Sequence, residues 1–261
     1  MTTPNPTIDL FLRKLETHAP LSAEDRQAIL ALPMRLRTLE PGTYIIREGD
    51  LPTQCAILGT GFAYRQKSTG DGHRQIISLH IPGEALDLQH LFLDVADHSV
   101  QMLTRGEVAF IARRDMQELT LSRPAVAHAI LVSILVEASI FREWVVNVGR
   151  RDARSRMAHL LCEFAIRMDA QGVDARHGYD LPITQEQLAD ALGLTPVHVN
   201  RTLKSLESDG LIIRNKRSIS FPSWERMREA GDFNQRYLHL EPQAAGATDS
   251  AAGRSAVLPP S

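Results

Sequence analysis

The most informative part of the chain is residues 184–212, which read TQEQLADALGLTPVHVNRTLKSLESDGLI. Thr184 and the glutamine three residues later have the spacing of a capping box, so a helix is predicted to begin here. Gly193 suits the left-handed conformation that ends a helix at a sharp turn. Thr195 can cap a second helix that has Pro196 as its first residue. Two helices joined by such a short turn form a helix-turn-helix.

The second of these helices has one apolar face and one polar face. Its apolar residues recur at spacings of four and three, which is typical of a buried stripe: Val199, Leu203 and Leu206. Four residues on the outward side are predicted to contact base edges in the major groove: Val197, His198, Asn200 and Arg201. Arginine can donate two hydrogen bonds to guanine, asparagine can pair with adenine, and valine can contact a thymine methyl group.

Residues 211–221 follow directly and indicate a small β-hairpin with a basic tip, which would be a wing. Five side chains are predicted to contact DNA phosphate and to add affinity without reading sequence: Thr195, Lys204, Arg214, Lys216 and Arg217. A basic hairpin alone is usually a solvated turn, and two capped helices alone are a common packing unit. Their direct succession is what favours DNA binding.

Upstream of this region, residues 36–115 have the pattern of a β domain. Short β-prone runs separated by glycine and proline turns predict strands at residues 43–46, 54–58, 62–66, 75–80, 100–103 and 108–111. Several strands of even spacing indicate a sandwich or barrel. Two short helices are predicted before it within residues 1–35, the second capped by Ser22.

A long helix is predicted over residues 122–149, with apolar residues on two faces. One face can pack on the β domain and the other on the same helix of a second subunit. The dimer interface is assigned to Ile130, Ile134, Phe141 and Val145. A helix enclosed in the core of a monomer is the alternative. Gly149 is predicted to be a hinge before the DNA-binding domain, residues 150–240, and residues 241–261 read as a disordered tail.

Composition sets further limits on function. The chain has 29 Lys and Arg residues against 31 Asp and Glu residues, a formal net charge of -2, so DNA affinity must come from locally placed basic residues. It has two distant cysteines, Cys55 and Cys162, and no stretch with the pattern of a secretory signal, which favours the cytoplasm. No window approaches the roughly 18 to 20 consecutive apolar residues of a membrane span, so no membrane association is predicted.

Residues 184–221 resemble the winged helix-turn-helix of the cyclic-AMP receptor and fumarate-nitrate regulator (Crp/Fnr) family, most specifically over residues 185–212. Gly42, Gly49, the Pro-Gly-Glu run at residues 82–84 and the long helix also stand in family order, so the resemblance covers roughly residues 8–240. It implies an α+β fold: an N-terminal cyclic-nucleotide-binding-like β-roll (jelly roll), a long dimerisation helix and a C-terminal winged helix-turn-helix. It also implies a homodimeric, sequence-specific transcription regulator that binds a palindromic operator.

The resemblance further implies a candidate effector pocket at Gly83, Glu84, His98 and Ser99. Cyclic-nucleotide binders of the family carry a glutamate for the ribose, which Glu84 matches, and an arginine for the phosphate, where this chain has His98. We therefore predict no cyclic nucleotide, and two cysteines cannot hold the family's iron–sulfur cluster. Haem on a histidine such as His73, His80 or His90 stays an open alternative.

Two other functions fit parts of the sequence. One is a ligand sensor or partner-binding protein without DNA binding, against which Arg201, Lys204 and the basic wing argue. The other is an enzyme that uses histidines of the roll with Asp87 or Asp97, but these histidines lack a tight ligand spacing. We therefore predict a regulator that is not an enzyme and holds no metal. Its partners would be double-stranded DNA, a second copy of itself, RNA polymerase and an unidentified small-molecule effector.

Overall fold

The computed structural model describes residues 6–240 and confirms the predicted fold class. Two helices, α1 (Pro6–His18) and α2 (Ala23–Leu30), come first. Ser22 caps α2 through a capping box with Asp25, as the sequence predicts. The tail predicted over residues 241–261 lies outside the described residues, as do residues 1–5.

The β domain is a roll of seven antiparallel strands. They are, in chain order, β1 (Met34–Leu39), β2 (Tyr44–Ile46), β3 (Gln54–Leu58), β4 (Ala63–Ser68), β5 (Arg74–His80), β6 (Ser99–Met102) and β7 (Gly106–Ala112). One sheet has the order β1-β7-β3 and the other the order β2-β6-β4-β5. The sequence analysis does not predict β1, although Met34 and Leu36 alternate with Arg35 and Arg37; in the structure only Leu39 of this strand is buried.

Asp87 lies fully buried within the roll. Its Oδ1 accepts a hydrogen bond from the Ala56 N–H at 3.0 Å, and its Oδ2 has no partner among the described residues. Burial raises the pKa of Asp87 to about 7, and the negative charge of Glu137 also raises it. The hydrogen bond from Ala56 and the positive charge of Arg65 lower this pKa, but their effect is smaller. The carboxyl group is therefore largely protonated below neutral pH.

Asp87→Asn is expected to stabilise the protein at pH 8 and to change little at pH 4. The raised pKa of the folded state contributes stability that is present below about pH 4 and is lost as the pH rises through about 7. Asparagine keeps an oxygen for the Ala56 N–H and never ionises, so we expect a gain of about 2–4 kcal/mol at pH 8. Urea unfolding at pH 4 and pH 8 measures this gain. An equal change in the free energy of unfolding at both pH values would contradict the raised pKa of Asp87.

Helix α3 (Arg113–Ser122), which the sequence does not predict, leads from the roll to the long helix α4 (Pro124–Arg150). Ile130, assigned to the dimer interface, is instead 1% exposed in a core shared with α1 and α2, so that assignment is wrong. Gly149, which was predicted to be a hinge, does not interrupt the helix. It lies inside α4, and the next helix starts only after Asp152.

The outward side of α4 carries large apolar side chains. Leu131, Leu135 and Val145 are 52%, 56% and 73% exposed. Contrary to the sequence expectation, α4 is long and apolar enough to cross a membrane if only length and composition are considered. Its inner side, however, packs against α1, α3 and the roll, as in the core helix of a folded domain. The apolar outer side is therefore the part of α4 that this chain alone leaves uncovered.

The C-terminal domain combines four helices with a small sheet. The helices are α5 (Ala153–Asp169), α6 (Gln185–Leu192), α7 (Pro196–Ser208) and α8 (Trp224–Ala230). The strands are β8 (Gly178–Asp180), β9 (Ile213–Asn215) and β10 (Ser218–Ser220), in the order β8-β10-β9. The hairpin β9–β10 is the predicted wing, whereas the sequence analysis does not predict β8, which pairs with β10 from a distant part of the chain.

Candidate nucleic-acid interface

The turn between α6 and α7 has the geometry that its residues predict. The Thr184 hydroxyl accepts the Gln187 N–H at 3.2 Å, and the Gln187 side chain accepts the Thr184 N–H at 3.0 Å. Gly193 ends α6 with a φ of 62°, in the left-handed region. The Thr195 hydroxyl accepts the His198 N–H at 3.3 Å and so caps α7. Local chemistry thus fixes where α6 begins and ends and where α7 begins.

Helix α7 presents the predicted outward face to solvent. Val199, Leu203 and Leu206 are buried against the other helices of the domain. On the opposite side Val197 is 80% exposed, and Arg201 and Lys204 are exposed. This side of the helix is therefore free to enter a groove.

His198 and Asn200 flank this face and are half-buried. The Asn200 amide Nδ2 donates a hydrogen bond to Gln185 Oε1, at 3.3 Å, across the turn. Sequence reasoning missed Gln185, because it treats the first helix only as a support. The short turn places the start of α6 beside the second turn of α7. This proximity is the signal that could have pointed to Gln185.

The wing carries its positive charges at two different places. Lys216 and Arg217 form the exposed tip of the β9–β10 hairpin, where Lys216 adopts a φ of 55°. Arg214 instead pairs with Glu207 of α7, with Nη2 at 2.8 Å and Nε at 3.2 Å from the same carboxylate oxygen. Arg214 therefore ties the wing to α7.

Glu84 and Gly83, two members of the candidate effector pocket, face the N-terminal and C-terminal helices. The Glu84 carboxylate lies 2.8 Å from the guanidinium of Arg167 in α5 and 3.3 Å from Lys14 Nζ in α1. Gly83 has a φ of 88°, and a Cβ there would come within 3.1 Å of the Leu10 carbonyl oxygen. The structure thus uses Glu84 to join domains, a role that the resemblance did not imply.

His98 and Ser99, the other two members, have separate partners. His98 Nδ1 lies 2.6 Å from Asp97 Oδ1, and its Nε2 lies 3.2 Å from the Gln89 amide. Burial, followed by the positive charge of Arg65, lowers the pKa of His98 to about 4, so its ring is neutral at pH 7. Ser99 accepts the Glu48 N–H at 3.0 Å. Glu84 and His98 are thus engaged with different partners, and these contacts do not bring them into one pocket.

A buried ionic cluster holds the C-terminal domain on the rest of the chain. Arg167 bridges Glu84 of the roll and Glu163 of its own helix, the latter at 3.2 Å, and all three are less than 10% exposed. Trp144 of α4 and the hydroxyl of Tyr237 also donate to Glu163, at 3.0 and 2.8 Å. Sequence reasoning missed this cluster, although Glu163 and Arg167 stand four residues apart within residues 160–168, which are otherwise apolar.

Electrostatics keep Glu84 and Arg167 ionised. Burial alone would raise the pKa of Glu84, but the positive charges of Arg167 and Lys14 hold it well below the ordinary value. Burial alone would lower the pKa of Arg167. The charges of Glu84 and Glu163 outweigh this effect and raise the pKa, so the guanidinium stays charged. Each charge therefore depends on its partners, because a buried ion without a partner is costly.

A second contact fixes the orientation of the helix-turn-helix. Arg74 Nε of β5 donates to Asp190 of α6 at 2.7 Å, and the Gln75 amide donates to the Ala191 carbonyl at 3.2 Å. Helix α6 therefore lies against the roll while the outward face of α7 stays open to solvent.

Comparison with known proteins agrees with this architecture. Residues 36–123 match the model of the cyclic nucleotide-binding domain, and residues 155–230 match that of the Crp-like helix-turn-helix domain. The transcriptional activator protein FnrL of Cereibacter sphaeroides is 31% identical over 201 residues, which are 75% of this chain and 80% of FnrL. The chain belongs to the Crp/Fnr family. The nitrogen fixation regulation protein FixK of Rhizobium meliloti is 30% identical over 75% of this chain and 87% of FixK.

Solved structures of other Crp/Fnr proteins share the fold. FixK2 from Bradyrhizobium japonicum superposes with a TM-score of 0.68 at 21% identity, over 76% of this chain and 98% of FixK2. The global regulator CLP of Xanthomonas campestris gives a TM-score of 0.59 at 18% identity, over 77% of this chain and 100% of CLP. As a Crp/Fnr protein, this chain is a DNA-binding transcription regulator. The alternatives of an enzyme and of a sensor without DNA binding do not fit its relatives.

Proposed function

We propose that this Crp/Fnr regulator binds a palindromic operator as a homodimer, with α7 of each subunit in the major groove of one half-site. The proposal is based on the exposed face of α7, where Val197, Arg201 and Lys204 are open to solvent, while the opposite face is buried. Arg201 pairs with guanine and Asn200 with adenine, while Val197 and His198 contact neighbouring bases.

Phosphate contacts supply the sequence-independent part of the affinity. Lys204 on the α7 face and Lys216 and Arg217 at the tip of the wing are exposed. Thr195 stands at the start of α7, where free N–H groups favour a phosphate. Arg214 contributes to phosphate binding only when it leaves Glu207 and otherwise keeps the wing in place. Because the whole chain has a net charge of -2, these local charges provide the attraction to DNA.

The dimer forms along the outer side of α4. Leu131, Leu135 and Val145 follow one another at spacings of four and ten residues, which keeps them on one stripe of a packed helix pair. Ile134 and Phe141 flank this stripe and are half-buried, and Phe141 lies under the Arg65 guanidinium, 5.6 Å from ring centroid to Cζ. Ile130 takes no part, because it lies in the subunit's own core.

Regulation would act at the contact between the domains. A cavity lined by Lys14, His80, Glu84, Glu137 and Arg167 adjoins the ionic cluster, and an unidentified small molecule bound there would bias the orientation of the helix-turn-helix. As a regulator of transcription, the DNA-bound dimer would act on RNA polymerase in the bacterial cytoplasm.

Arg201→Ala is expected to weaken operator binding by about 1–3 kcal/mol and to relax base preference at one position of each half-site. Arg217→Ala is the matched control: it should weaken binding to all duplexes alike and lower the slope of log affinity against log salt. Fluorescence anisotropy with the operator and its single-base variants measures both. If Arg201→Ala weakened all duplexes equally, Arg201 would be a phosphate contact and the base-reading role would be wrong.

A further inference from the structure

The hydrogen bond between Asn200 and Gln185 joins the two helices at the surface that faces DNA. Gln185 is the first residue of α6 and is held there by the capping box of Thr184. Asn200 lies in the second turn of α7, which Thr195 caps. The two side chains share one surface concavity with Val197, Arg201 and Lys204. The Gln185–Asn200 pair therefore belongs to the surface that is proposed to contact base edges, and the turn fixes the backbones of both residues.

The orientation of the Asn200 amide group determines which base it can pair with. An asparagine side chain has two N–H donors and one carbonyl oxygen. If its orientation is free, it can present either two donors or one donor and one acceptor to a base edge. Guanine offers two acceptors in the major groove, whereas adenine offers an acceptor at N7 and a donor at N6. The orientation of the Asn200 amide therefore decides between these two bases.

In the structure Gln185 turns its amide oxygen, and not its NH2 group, toward Asn200. Its Oε1 accepts one N–H of Asn200, at 3.3 Å. The remaining N–H and Oδ1 of Asn200 then form the donor and acceptor pair that matches adenine N7 and N6. We infer that Gln185 is a positioning residue that makes Asn200 select adenine over guanine. This inference rests on the proposed function, since it assumes that Asn200 faces a base.

The test measures base preference at single positions of the operator. Duplexes carrying each of the four bases at every half-site position compete for the unmodified protein and for four variants: Gln185→Ala, Gln185→Glu, Asn200→Ala and the combination of Gln185→Ala with Asn200→Ala. For the unmodified protein we expect adenine to be preferred at one position by about 5- to 150-fold. Gln185→Ala should reduce this ratio to below about threefold there, while the preference at the Arg201 position persists.

Gln185→Glu keeps an acceptor oxygen and should keep the adenine preference, although its charge weakens binding to every duplex. Asn200→Ala should lose the same preference, and combining it with Gln185→Ala should add no further loss. Gln185 is exposed and alanine favours helices, so the thermal unfolding midpoint of Gln185→Ala should stay unchanged.

Three results would overturn the inference. An unchanged adenine ratio in Gln185→Ala, with Arg201→Ala still acting at its own position, refutes the role of Gln185 alone. A uniform weakening on all duplexes makes Gln185 a phosphate contact and refutes it as well. If the unmodified protein binds all duplexes alike, the proposed function fails together with the inference.

Discussion

Arg167→Met is expected to lower the free energy of unfolding by about 3–5 kcal/mol. The Arg167 guanidinium lies 2.8 Å from Glu84 and 3.2 Å from Glu163, and both carboxylates are buried. Methionine fills much of the space of the arginine stem but leaves these two charges without their shared cation. Urea or thermal unfolding of the purified protein at pH 7 measures the loss.

Two controls separate this effect from a general loss of arginine. Arg105 pairs with Glu40 at 3.0 Å, but their side chains are 70% and 68% exposed, so Arg105→Met should cost less than about 1 kcal/mol. Adding Glu84→Gln and Glu163→Gln to Arg167→Met removes the unpaired charges and should recover much of the stability. If Arg167→Met cost no more than Arg105→Met, the cluster would not hold the domains together.

The second large effect concerns the outer side of α4. Leu135→Asp places a charge at the centre of the apolar stripe, where a second α4 would have to bury it. We expect a monomer in sedimentation analysis and a loss of operator affinity of at least about 100-fold, because the two half-sites would then be bound independently.

Leu121 provides the matched control for this substitution. It is 85% exposed at the end of α3 and is not part of the α4 stripe, so Leu121→Asp should leave the dimer and operator binding intact. A Leu135→Asp variant that remains dimeric would show that another surface joins the subunits.

The sequence predicts those parts of the molecule that local chemistry determines. The capping box at Thr184, the left-handed Gly193 and the cap at Thr195 each act within a few residues, so the helix-turn-helix can be predicted from the chain alone. Strands bounded by clear turns, such as β3, are found for the same reason. Strand β1 is missed, because the alternation of Met34 and Leu36 with Arg35 and Arg37 is short and Leu36 is exposed like the arginines.

Contacts between distant residues could not be predicted in this way. In α4, Ile130 and Leu131 are equally apolar neighbours, and only the packing of α1 shows that the first is buried and the second is not. Glu84 was placed in an effector pocket by resemblance, yet its partner Arg167 lies 83 residues away. The pairing of Gln185 with Asn200 likewise depends on how two helices meet.

Selection of bound sequences from a random duplex pool, at two salt concentrations, tests the central claim most directly. We expect enrichment of a two-fold symmetric site whose half-site centres lie about 34 Å apart, bound at least about 1,000-fold more tightly than random duplex at both salt concentrations. Binding that falls with salt but enriches no sequence would contradict the claim that the α7 face reads DNA as a dimer.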